Sequence, residues 1–191
     1  MKAKTFESRD DTHVKKMLVV YYSRSGFTSA VARRLARDCH ADLLSIKDLK
    51  RRSGALGYLR SSLEAAMHWG SAIRKISLHR DYALVVIGTP IWFWNMSSPV
   101  RGFIRLHRPA LKRVAFFCTY GGSGATKVLG DMEALCGHRA VATLALRDDE
   151  IQKDMGGSKL VYFVSRLNRL AEQPTRETAP SASGAETFAH S

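Results

Sequence analysis

Tyr82-Ala-Leu-Val-Val-Ile87 is an unbroken apolar run of strand length that stops at Gly88. It carries no polar alternation, so it reads as a strand covered on both faces, as in a parallel sheet flanked by helices. Met17-Leu-Val-Val-Tyr-Tyr22 and Asp42-Leu-Leu-Ser-Ile46 precede it with the same character, and Arg113-Val-Ala-Phe-Phe-Cys118 and the stretch Arg139 to Leu146 follow it. Helical spacing separates these runs. Thr28 to Cys39 sets Val31, Leu35 and Ala36 on one side and arginines on the other. Leu56 to Trp69 follows a basic loop, Lys50 to Gly54, and Ser97 to His107 holds Pro99 in its first turn, where a missing N–H costs nothing. Ala125 to Cys136 and Lys159 to Leu170 complete the set. Strands alternating with helices imply an α/β fold, a parallel sheet between two helical layers.

The 191 residues suit one domain. The polar residues 1–16 read as a flexible N-terminal extension, 17–171 as the domain, and 172–191, rich in Thr, Ala, Ser and Pro, as a disordered C-terminal tail. No apolar run reaches the roughly eighteen residues that a bilayer crossing needs. Met1 to Lys16 lacks the apolar core of a secretory signal, which leads to the expectation of a cytoplasmic protein. Cys39, Cys118 and Cys136 form no CxxC pair and read as reduced thiols, with Cys118 as core filler at the end of its strand. The dispersed histidines argue against a metal site. The net charge of +13 fits an acidic partner, nucleic acid, a membrane surface, or merely solvated helix faces such as Arg33, Arg34 and Arg37, or Arg101, Arg105 and Arg108. No helix-turn-helix, zinc-finger, RRM or KH signature accompanies it.

In an open parallel sheet, ligands bind beyond the carboxyl ends of the strands. The loop after the first strand is Ser23-Arg24-Ser25-Gly26-Phe27-Thr28, running straight into a helix. Its hydroxyls, its glycine and the unpaired N–H groups of a helix start make an anion cradle, or else an ordinary N-cap. It is neither GxGxxG nor GxxxxGK[ST], which disfavours dinucleotide and P-loop sites. After the third strand come Thr89, Pro90, Ile91, Trp92, Phe93, Trp94, Asn95 and Met96. Three consecutive aromatic residues in a loop need a planar partner, a flat ring or another subunit. Asn95 offers an amide to a ring edge. After the fourth strand come Thr119, Tyr120, Gly121, Gly122, Ser123 and Gly124, which allow close backbone approach to a ligand, or simply form a flexible turn.

Together the three loops describe one ligand with a phosphate at one end and a flat, polar-edged ring at the other. The set Tyr-Ser-Arg-Ser-Gly-Phe-Thr, Gly-Thr-Pro-Ile-Trp and Thr-Tyr-Gly-Gly-Ser-Gly, in this order, strongly resembles the flavodoxin family over roughly Met17 to Leu170. Gly57-Tyr-Leu-Arg60 with Glu64-Ala65 resembles a bacterial subgroup of flavodoxin-like proteins. The resemblance implies a flavodoxin-like three-layer sandwich with a five-stranded parallel sheet in the order 2-1-3-4-5, binding FMN non-covalently. It implies that Ser23 to Thr28 hold the phosphate, and that Pro90 to Met96 flank the isoalloxazine with Trp92 or Trp94 against a face. Thr119 to Gly124 are then expected at the other side and the pyrimidine edge. Two departures stand out. Phe27 occupies a position where the family has a small or polar residue, and this chain is basic where the family is acidic.

The expected activity is electron transfer to a redox partner protein, acidic by charge, or to a small electron acceptor. The positive charge leads to a further expectation, that the reduced anionic flavin is favoured and its potential raised. The runner-up is an FMN-dependent NAD(P)H:quinone or flavin reductase, for which Tyr120 and His68 are the acid–base candidates. No dinucleotide motif supports it. A third reading, a non-redox module interacting through its basic surface, makes the three loops mere packing features.

Overall fold

The structure is a computed structural model, and it describes residues 17–47 and 82–173. Strand β1 (Met17–Tyr21) leads to helix α1 (Phe27–Asp38) and strand β2 (Asp42–Ser45). β3 (Leu84–Trp92) turns back through the two-residue β4 (Asn95–Met96) into α2 (Ser98–His107) and a short 3-10 turn, Arg108–Ala110. β5 (Val114–Tyr120), α3 (Ala125–Cys136), β6 (Thr143–Arg147), α4 (Asp148–Asp154) and α5 (Gly157–Glu172) follow. The expected extension over 1–16, the helix over Leu56 to Trp69, His68, and the tail beyond Gln173 lie outside the described residues.

The sheet order is β2-β1-β3-β5-β6, with β4 pairing antiparallel to β3. All other pairings are parallel, so with the two-residue β4 set aside the order is the expected 2-1-3-4-5. The strands serve two cores by alternation. Met17, Val19, Leu84, Val86, Ala115 and Phe117 pack with Val31 and Leu35 of α1 and Leu160, Phe163 and Leu167 of α5. Leu18, Val20, Val85, Ile87, Val114 and Phe116 pack with Val100, Phe103 and Ile104 of α2 and Val128 and Met132 of α3. A strand with helices on both sides must be apolar at every position, which is why the runs show no alternation in sequence. Each fully buried Phe, Leu or Ile removed from water contributes roughly 1.5–3 kcal/mol. Phe117 lies across Gly88, where an added Cβ would sit 2.0 Å from the ring, so only glycine fits there.

Several boundaries differ from the sequence reading. β3 does not end at Gly88 but continues through Pro90 to Trp92. Gly88 points toward β1, accepting a bond from Tyr22 N–H at 3.2 Å, so Pro90, two residues on, points the same way. There β1 has already ended, and the missing N–H leaves no ladder bond unmade. The last strand begins at Thr143, not Arg139. α1, α2 and α5 shift by one or two residues at their ends, and α5 reaches Glu172, inside the expected tail. Helix α4 was not expected at all. Arg101, grouped with solvated residues, is only 5% exposed, whereas Arg105 and Arg108 face water.

Candidate functional site

At the carboxyl end of β1 the chain leaves the sheet through Tyr22 and turns at Gly26, whose φ of +102° belongs to the left-handed region. Ser23 Oγ accepts the Gly26 N–H at 3.2 Å, closing the loop, and an added Cβ on Gly26 would meet nothing within 4 Å. Helix α1 starts immediately afterwards with no side-chain cap and no acidic residue in its first turn. The first N–H groups of a helix have no intrahelical partners, so an uncapped, acid-free start at an exposed glycine is suited to an anion. Arg24, Ser25 and Gly26 are exposed. Thr28 is not part of this open surface. It is buried, and its hydroxyl lies 2.8 Å from that of Thr119, tying the start of α1 to the end of β5. Phe27 turns its ring against the core beneath α1.

Thr89 is likewise buried. Its hydroxyl accepts the Ser97 N–H at 3.0 Å and lies 2.9 Å from the Pro90 carbonyl and 3.1 Å from the Ser97 hydroxyl. This pins the base of a hairpin in which Ile91 pairs with Met96 and Trp92 with Asn95. The expected aromatic loop is therefore mostly strand, with only Phe93 and Trp94 as the turn. Both have positive φ, 46° and 59°. Two consecutive left-handed residues are the signature of a type I′ hairpin turn, where Asn-Gly is the usual pair. Asn95 Nδ2 donates to the Phe93 carbonyl at 2.7 Å. Trp92 meets Tyr22 edge to face at 5.6 Å and 89°. Met96 is wholly buried and belongs to the core rather than to an open surface.

The turn leans on the third loop. Trp94 Nε1 donates to Ser123 Oγ at 2.9 Å, and an added Cβ on Gly124 would lie 2.8 Å from Trp94 Cδ1. Gly124 also needs its φ of +100°. Between Ile91–Trp94 and Tyr120–Ser123 opens a cleft of about 290 Å³, lined mainly by aromatic surface and glycine backbone. The second and third loops thus share one cavity. The first stands at the same sheet end, joined to them through the Tyr22–Trp92 and Thr28–Thr119 contacts.

Sequence reasoning missed Asp148. It follows β6, and its Oδ2 lies 3.4 Å from where a Cβ on Gly121 would be, directly behind the glycine loop. Burial, and then the charge of Asp149, push its carboxyl above the ordinary range. The cations nearby are already paired, Arg147 with Asp149 at 3.1 Å and Lys159 with Glu150. The run Asp148-Asp149-Glu150, acidic residues at a helix start, was the signal available for α4. The cysteines are buried and free among the described residues, and burial pushes the Cys118 thiol up to about 12, far from a nucleophile's range. No group of potential metal ligands occurs among the described residues.

Residues 16–155 match the protein family described as Flavodoxin. The chain belongs to the flavodoxin family. Among solved structures, a flavoprotein from Lactobacillus acidophilus in complex with FMN is 23% identical with a TM-score of 0.61. The match covers 73% of this chain and 97% of that one. A protein from Bacteroides eggerthii assigned as a flavoprotein is 23% identical with a TM-score of 0.65, covering 83% of this chain and 99% of its own. A flavodoxin from the domain Archaea reaches 0.52 at 16% identity, covering 82% and 96%. Likenesses at this level of identity establish the flavodoxin-like fold. None of the curated proteins matches the chain in sequence.

Proposed function

We propose that this chain binds FMN at the carboxyl end of its sheet and carries electrons with it. The observation that supports this most is the aromatic cleft, held open between the Phe93–Trp94 turn and the glycine loop beside an uncapped helix start. The donor set fits the group. Ser23, Ser25 and the amides from Gly26 into the first turn of α1 would hold the phosphate, with Thr28 acting from behind through Thr119. Trp92, Trp94 and Tyr120 supply planar surface, and Gly121 and Gly122 supply backbone at the ring edge. FMN, when bound, accepts and returns the electrons. The protein's own residues position it, exclude water from one side of the ring, and set the local charge through Asp148.

In this reading the partner is a redox protein or a small acceptor reaching the mouth of the cleft, where Phe93 and Trp94 are half exposed. Location in the cytoplasm is part of the same proposal, supported by the buried, unpaired thiols.

The test is the visible spectrum of protein purified with added FMN, followed by release and identification of the chromophore. Bands of bound oxidised flavin with quenched tryptophan fluorescence are expected. Sustained NADPH consumption by the pure protein with quinone would favour the reductase instead, and a protein that never retains FMN would overturn both redox readings.

A further inference from the structure

Among the described residues, a group of cations without ion pairs lies at the end of the sheet away from the cleft. The amino ends of the strands are closed by α2 and its following turn, the loop 137–142, and the end of α5. Side chains knit these pieces together. Arg108 Nε donates to the Cys136 carbonyl at 3.1 Å, Arg113 Nη1 to the Gln173 carbonyl at 3.1 Å, and Arg166 to the Val141 carbonyl at 3.0 and 3.1 Å. His138 Nε2 lies 2.6 Å from the Leu111 carbonyl. These contacts bring Arg108, Arg113 and Arg166 to this end, and Lys112, Arg139 and Arg169 are exposed on the same turn, loop and helix end. Among the described residues none of the six makes an ion pair. The guanidinium groups of Arg108, Arg113 and Arg166 bond to carbonyls, which leaves their charge uncancelled. Carboxylates at this end include Glu133, which accepts the Ala140 N–H, Glu172, and Asp38, which is already paired with Arg34 and Arg37 and whose carbonyl accepts from Asn168 of α5.

The second observation is apolar. Leu106 is 55% exposed on the last turn of α2, and Pro109 and Ala110, also exposed, continue its face around the turn. An exposed leucine next to Pro-Ala, with Arg105, Arg108 and Lys112 beside it in the chain, makes this corner both basic and apolar. A bilayer surface offers both partners at once, anionic headgroups for the cations and an acyl boundary for the leucine. Nucleic acid would use the charge but gains from aromatic stacking, and the exposed Phe93, Trp94 and Tyr162 lie on other parts of the molecule.

We propose that this amino-end face docks the protein on an anionic lipid surface. Docked this way, the cleft points away from the membrane, since seven-residue β5 separates the two ends by roughly 20 Å at the usual rise per residue. The site then stays open to partners in water. The inference rests on the charge and exposure of this face and does not depend on the cofactor reading.

The test is vesicle flotation of the full chain with phosphatidylcholine alone and with equal parts phosphatidylcholine and phosphatidylglycerol, at low and high salt. Binding to the anionic vesicles only, released by salt, is expected. Lys112→Glu/Arg139→Glu/Arg169→Glu, three residues without structural hydrogen bonds, should lower the partition by about tenfold or more. Leu106→Ser should lower it several-fold on the same vesicles. If the triple variant fails the circular-dichroism and melting controls, Lys112→Gln/Arg139→Gln tests the same charge with less repulsion. Equal binding to neutral vesicles, no flotation, undiminished binding by the variants, or retention of an RNA oligonucleotide without vesicle binding would each overturn the proposal.

Discussion

The two ends of the sheet treat their polar groups in opposite ways. At the amino end, arginines and a histidine fill the carbonyls left by α3, α5 and the connecting turns, so the backbone is closed and the charge faces out. At the carboxyl end, α1 begins uncapped, two aromatic residues sit in left-handed backbone, and glycine surfaces line an open cleft. One end uses side chains to complete the fold, and the other keeps backbone groups and aromatic faces available. Strained residues at a cleft persist only when surrounding structure holds them, and here Ser123, Gly124 and Asn95 do so.

The largest expected effect tests whether both ends rest on one core. Gly88→Ala forces a Cβ into the Phe117 ring and should cost about 3 kcal/mol, lowering both ends together in a single urea transition. Separate transitions for the two ends would break the comparison.

Next comes the turn. Phe93→Asn/Trp94→Gly supplies the residues a type I′ turn prefers and should relieve about 1–2 kcal/mol of strain per position. The lost Trp94–Ser123 bond returns roughly 1 kcal/mol of that. The variant should melt higher than the wild type while its FMN dissociation constant rises by about tenfold or more. Unchanged affinity in a titration would show that the aromatic turn is not part of the ring site.

At the amino end the sign should reverse. Arg108→Ala and Arg166→Ala should each cost about 1 kcal/mol in denaturant unfolding, through unfilled carbonyls, with FMN affinity unchanged. A loss of affinity would mean that the ends are coupled.

The smallest effect concerns Asp148. Its carboxyl is held above the ordinary range, so the folded state favours the protonated form. That contribution is fully present below the unfolded carboxylate value and lost as pH rises through the folded one. Asp148→Asn should therefore match the wild type in stability near about pH 3 and exceed it by about pH 7. The bound flavin's potential should move up by tens of millivolts in a redox titration, as a nearby negative charge is removed. No shift in either measurement would remove Asp148 from the site.

The strands, their parallel pairing and the position of the cleft were legible because burial on both faces leaves unbroken apolar runs. Pro90 and Gly88 misled the reading of β3, since a proline inside a strand is acceptable only where the neighbouring strand has ended, a fact of the assembled sheet. The hairpin was hidden because Phe93-Trp94 carries no turn signal; the conformation is imposed by Ser123 and Gly124, some thirty residues on. Thr28 read as an open hydroxyl, but its partner, Thr119, is 91 positions away. The +13 charge was visible, but the grouping of Arg108, Arg113 and Arg166 depends on which turns and loops the fold gathers at the amino end.

The most direct measurement is hydrogen–deuterium exchange of the full chain with and without FMN. The account predicts slowed exchange over residues 23–29, 89–96 and 119–124, with residues 108–113 and 137–142 unchanged. Protection at the amino-end loops, or none at the three carboxyl-end loops, would contradict it.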